Sequence, residues 1–117
     1  MMWWPISLPR RKPSLASAIC GRELNALFID EDNQTLRLRF SDNSAAVVNL
    51  CTRDFEIVSA HTYKEWLTLP GWVRIASVIE DTSQIILVVS GAIYTARISF
   101  RFSHQRWQIF FSGGRIL

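Results

Sequence analysis

Glycine, cysteine and histidine are scarce in this chain of 117 residues, which has five, two and two of them. The few glycines leave no phosphate-cradling loop: Gly113-Gly114 lies near the C-terminus and precedes no expected helix. Cys20 and Cys51 are too few for a disulfide framework. They can bridge only if their Cα atoms come within about 7 Å, so reduced, mostly buried thiols are expected. His61 and His104 stand in no metal-ligand spacing. Cys51 and His61 could be imagined as nucleophile and base, but no third residue is placed to orient the base. The chain also lacks any apolar run near the roughly 18 residues of a membrane span. The cluster Arg10, Arg11, Lys12 follows the apolar N-terminal residues instead of preceding them, and Pro13 to Cys20 is short for a signal-peptide core. These absences point away from catalysis, metal, cofactor, small-molecule ligand and membrane, and toward a soluble cytoplasmic protein.

Aliphatic and aromatic residues are plentiful. Hydrophobic residues make up 49% of the chain, with five Trp and seven Phe. One domain of this length can bury a core without covalent staples. Thirteen basic against ten acidic residues leave +3, a mild excess compatible with an anionic partner but short of a dedicated nucleic-acid binder.

The stretch Gly21 to Phe40 recurs without a gap fifty positions on, at Gly71 to Ser90. Gly21 falls on Gly71, Ala26 on Ala76, Ile29 on Ile79 and Gln34 on Gln84. Each copy reads as glycine, strand, acidic turn, strand, which suggests a duplicated hairpin unit. The turns Asp30-Glu31-Asp32 and Glu80-Asp81 lack the longer, glycine-containing ligand array of a calcium loop and read as solvated hairpin ends.

Residues 1 to 13 form an arm in which Pro5, Pro9 and Pro13 exclude a regular helix. Trp3, Trp4, Ile6 and Leu8 make it apolar, so it wants a surface, its own domain's or a partner's. The single domain occupies 14 to 117. Ser14 to Cys20 suits a short helix, with Pro13 near its start and Gly21 as its stop. Strands are expected at Arg22–Asp30, Thr35–Ser41, Ala45–Leu50 and Phe55–Ala60. In the second of these Leu36, Leu38 and Phe40 share a face opposite Thr35, Arg37 and Arg39. Thr62 and Glu65 match a capping box, so one or two helical turns are expected before Pro70; the competing course extends the preceding strand through Tyr63. Further strands follow at Trp72–Glu80, Gln84–Ser90, Ile93–Ser103 and Arg106–Phe111, with a loose end from Ser112. On Ile93–Ser103, Tyr94, Ala96, Ile98, Phe100 and Phe102 face one way and Thr95, Arg97, Ser99 and Arg101 the other. The pseudo-repeats then span about 21–60 and 71–112. The expected fold is all-β, about eight mostly antiparallel strands in two four-stranded units, as a sandwich or a small barrel.

The copies differ where function would lie. Thr35, Arg37 and Arg39 suit water, whereas the matching Ile85, Leu87 and Val89 do not. With Ile86 and Val88 opposite, that strand is apolar on both faces and must be covered on both. Small β domains without a catalytic constellation are more often binding modules than enzymes. The expected function is therefore protein binding, of an inhibitor, adaptor or immunity type, with another protein or a second copy as partner. The expected contacts are Trp3, Trp4, Ile6 and Leu8, with Ile85, Leu87 and Val89 as the receiving face. The alternative is a nucleic-acid-binding domain using Arg10, Arg11, Lys12, Arg37, Arg39, Arg97 and Arg101.

Overall fold

A computed structural model describes residues 13–60, 66–92 and 94–115. The order is helix α1 (Leu15–Ile19) and then eight strands: β1 (Glu23–Asp30), β2 (Thr35–Phe40), β3 (Ser44–Asn49), β4 (Phe55–Ser59), β5 (Leu67–Glu80), β6 (Gln84–Ser90), β7 (Tyr94–Ser103) and β8 (Arg106–Arg115). All eight form one antiparallel sheet in the order β4-β3-β2-β1-β5-β6-β7-β8. Each half is a meander, and the halves meet along β1 and β5.

The sheet is all-β as expected, and it takes a course between a sandwich and a barrel. It is open, yet it curls. Flat, β8 would lie about 19 Å from β1, four strand spacings away. Instead Arg106 Nη2 reaches Glu31 Oε1 at 3.5 Å, and the Arg53 guanidinium lies over the Trp107 ring at 5.6 Å. Curling brings one face of all eight strands onto a single core. Leu24, Leu27, Leu36, Leu38, Phe40, Ile85, Leu87, Ile98, Phe100 and Trp107 belong to it.

Helix α1 starts as its residues dictate. The Ser14 hydroxyl accepts a hydrogen bond from the Ser17 amide, an N-cap that satisfies one of the helix's free amides. Gly21, with φ of 84°, ends it, and its amide donates to the Ile75 carbonyl on β5. Five residues cannot hold a helix alone; burial of Leu15 and Ile19 in the core does so.

Four expectations need correction. Leu67 to Pro70 are strand, not helix: Leu67 pairs with Leu27 and Thr68 with Ala26 on β1. Pro70-Gly71 sits where the register shifts, with residues 69–72 opposite Asn25 alone, a site where a missing amide costs no ladder bond. The capping-box residues Thr62 and Glu65, with His61 and Tyr63, lie outside the described residues. Second, β8 runs on through Ser112 and Gly113, which pair with Arg97 and Ala96. A Cβ at Gly113 would meet the Ala96 Cβ at 3.2 Å, so glycine there serves close strand packing. Third, Cys20 and Cys51 are free but exposed, because one closes α1 and the other sits in the β3–β4 turn.

The fourth concerns the gapless repeat. Leu36, Leu38 and Phe40 face the core, but so do Ile85, Leu87 and Val89, which the fifty-residue alignment sets against Thr35, Arg37 and Arg39. The two hairpins keep one register: Asp30 pairs with Thr35 and Glu80 with Ile85, with four residues between the partners in each. The pair beside the turn lies on the outer face in the first hairpin and on the core face in the second, so the faces are exchanged at an unchanged register. β6 is aliphatic on both sides, so nothing in its composition shows the exchange.

Three turns are held by aspartates. Asp42 accepts from the Ser44 hydroxyl and amide. Asp81 accepts from the Gln84 side chain and from Ser83. Asp30 accepts from the Asn33 side chain, with Arg37 at 3.9 Å. These bonds favour the ionised form, and each carboxyl is pushed below the ordinary value of 3.8. A depressed folded pKa adds stability that is present above the unfolded value and lost as pH falls through the folded one. The melting temperature is therefore expected to hold above about pH 4 and to fall below it. A thermal unfolding series against pH checks this, and Asp81→Asn is expected to shallow the acid limb.

Candidate functional site

Alternation along the strands gives the sheet an inner face on the core and an outer face. On the inner face Ile85, Leu87 and Val89 are 0%, 0% and 2% exposed. The chain's own core covers them, so they are not a receiving face for a partner. Trp3, Trp4, Ile6 and Leu8, with Arg10, Arg11 and Lys12, lie outside the described residues.

The four strand arginines all point outward, but the two pairs differ. Arg37 faces Asp30 at 3.9 Å. Arg39 donates to Asn43 and pairs across the ladder with Ala26 on one side and Ala45 on the other. Both alanines are buried although they lie on the outer face, as expected where long arginine stems lie over them. Nearby Trp66 meets Phe28 edge to face at 6.4 Å. The outer face of the first half is thus covered by its own side chains.

The second half is different. Arg101 stacks on the Phe110 ring at 5.2 Å, and Arg97 is exposed. Among the described residues no carboxylate forms a recorded ion pair with either. Between them runs a row straight across four strands: Ile79 pairs with Ile86, Ile86 with Ser99, and Ser99 with Phe110. Ile79 is 46% and Phe110 42% exposed. Val88 flanks the row, half-buried. An aliphatic and aromatic strip thus lies bracketed by two arginines on an open sheet face. Such a surface can bury apolar area against a partner while the arginines meet carboxylates or phosphates.

The charge distribution sharpens this. All ten acidic residues lie between Glu23 and Asp81, and residues 84–117 hold four arginines and no acid. Every acid therefore lies before β6, whereas β6–β8 carry basic charge alone. A count of acids along the chain would have shown it; attention to strand faces alone did not.

On the inner side an apolar groove of about 320 Å³ is lined by Leu67, Leu69, Val73, Val89, Ala96 and Phe111. Phe100 is fully buried in the core. His104 is an exposed turn residue; it and Gln105 both have positive φ, the backbone of a two-residue hairpin turn. Among the described residues no three His, Cys, Asp or Glu side chains gather to hold a cation. No helix there is long and apolar enough to cross a membrane.

No family model matches the chain, and comparison with curated proteins and solved structures finds no significant match.

Proposed function

We propose that this chain is a non-catalytic protein-binding module, of the inhibitor, adaptor or immunity kind, docking through the outer face of β5–β8. The observation that carries the reading is the strip Ile79–Ile86–Phe110 with Arg97 and Arg101 beside it, running onto strands β6–β8, which hold no acid. Charge complementarity defines the partner as a protein surface with an apolar patch ringed by carboxylates. Aromatics and arginines are the residues that dominate such contacts. The apolar arm, with Trp3, Trp4, Ile6 and Leu8, joins this reading on its sequence alone.

Nucleic acid is the rival occupant of the same face. Two arginines neutralise few phosphates, and the aliphatic part of the strip contributes little to backbone tracking, so protein is favoured. Affinity capture from source-cell extract, followed by titration with the purified captured protein, distinguishes the two. Ile79→Glu and Arg97→Glu are each expected to weaken that binding by about 30-fold or more, the loss of a hot-spot residue. Unchanged affinity in both variants overturns the reading. Recovery of nuclease-sensitive material, bound with a steep salt dependence, replaces it with the rival.

A further inference from the structure

An open sheet ends in two strands that each leave a row of backbone N–H and C=O groups unpaired. Here they are β4 and β8, neither of which has a further strand partner among the described residues. Proteins blunt such edges with lysine, proline, bulges or short strands. β4 is short, with five residues. β8 is not protected: its ten residues contain neither Lys nor Pro, and they pair with β7 without a bulge.

The two edges are complementary. From Asp54 to Ala60 there are two acids and no base; from Arg106 to Arg115 there are two arginines and no acid. Their faces match as well. On the inner side β4 presents Phe55 and Ile57, and β8 presents Ile109 and Phe111. On the outer side β4 presents Glu56 and Val58, and β8 presents Arg106 and Phe110. Ile57 is 39% exposed and Phe111 55%, high values for side chains on a core-facing side. Beside β4 the described residues leave a recess of about 520 Å³, large enough for an aromatic ring and lined by Leu15, Phe55 and Ile57 together with Arg53, Asp54 and Glu80. Direction fits too. Eight alternating strands mean that a second copy in the same orientation brings its β4 antiparallel to β8.

We infer that β8 of one copy adds to β4 of a second copy, head to tail, extending the sheet from chain to chain. In the antiparallel register Phe111 then lies opposite Phe55 and Ile109 opposite Ile57 of the second copy, and Glu56 of that copy faces Phe110 and the Arg101 guanidinium stacked on it. Arg106, held within its own chain only by an exposed pair with Glu31, is free to exchange partners, since such pairs are worth little. The contact is heterologous. Each addition leaves one free β4 and one free β8, so assembly continues unless the curl closes a ring. This edge adjoins the Ile79 and Arg97 face at Phe110 but uses neither Ile79 nor Arg97, so either proposal can fail alone.

Sedimentation of the full chain over a concentration and salt series, with two edge variants, tests it. The wild-type chain is expected to grow beyond a dimer with concentration and to shrink with salt. Phe111→Lys and Ile57→Lys, inward charges at exposed edge positions, each abolish growth. Mixed, the two variants retain one compatible β8–β4 pair and form a dimer that goes no further. Glu56→Lys, an exposed change that leaves the core untouched, is expected to weaken association on the order of tenfold, which keeps the test valid should Ile57→Lys disturb folding. Ile79→Glu leaves assembly unchanged. A wild-type chain that stays monomeric throughout overturns the inference. So does continued association of either edge variant alone, which would mean that an edge pairs with itself.

Discussion

Leu87→Asp is expected to leave no folded chain, and Leu87→Ala to cost about 2–5 kcal/mol of unfolding free energy. Leu87 is 0% exposed at the middle of β6. It pairs with Val78 on one side and Ile98 on the other, so both neighbouring strands close over its position. Domains of this size have about 5–15 kcal/mol in total, and an unpaired buried carboxylate costs several of these by itself. Ile85 and Val89, in the same inward row, are expected to behave likewise. Ile79→Glu, one strand away on the outer face, is expected to change stability little. Urea unfolding of these variants checks the contrast. A folded Leu87→Asp chain that had lost only partner binding would return this row to the surface.

Arg53→Ala is expected to destabilise by about 2–4 kcal/mol, the sum of charge-assisted hydrogen bonds and a cation–π contact. Arg53 stands in the β3–β4 turn, yet it holds the far half of the sheet. Its Nη2 donates to the Asp81 carbonyl at 2.7 Å. Its Nη1 donates to the Glu80 carboxylate and to the Gln84 carbonyl. Nε returns to the Leu50 carbonyl, and the guanidinium plane covers Trp107. One side chain thereby ties β3, the β5–β6 turn and β8 together and maintains the curl. Its backbone φ is 67°, a conformation glycine would adopt with less strain. Arg53→Gly is accordingly expected to destabilise despite relieving the backbone, and Arg53→Lys to recover less than half of the loss, because an ammonium cannot make the forked contacts. Thermal unfolding distinguishes these outcomes. Equal stability of Arg53→Lys and the wild type would show that charge alone suffices.

Sequence reasoning served best where a single local cause decides structure. The Ser14 cap and Gly21 stop bound α1, and alternation placed Leu36, Leu38 and Phe40 inward and Arg97 and Arg101 outward. It failed where two local patterns tie. Residues 62–69 carry a helix-start signal, but the part from Leu67 pairs with β1; a ladder of hydrogen bonds outweighs the propensity of a segment too short to hold a helix alone. Ser112 and Gly113 look like a loose tail because glycine disfavours strands, whereas close approach to Ala96 makes glycine the residue that fits.

For the candidate site the division is similar. The residues Arg97, Arg101 and Phe110 are plain in the sequence, as is the acid-free stretch to which they belong. Their gathering with Ile79 into one strip depends on register across three strand pairs. Alternation, turn chemistry and charge distribution act over a few residues each, and these determined eight antiparallel strands from the amino-acid order alone. Which face of β6 turned inward, which edges stayed open and how far the sheet curled depended on contacts between residues far apart in the chain. The closing of β5 and β7 over Ile85, Leu87 and Val89 and the reach of Arg53 decided them, and neither has a local signature.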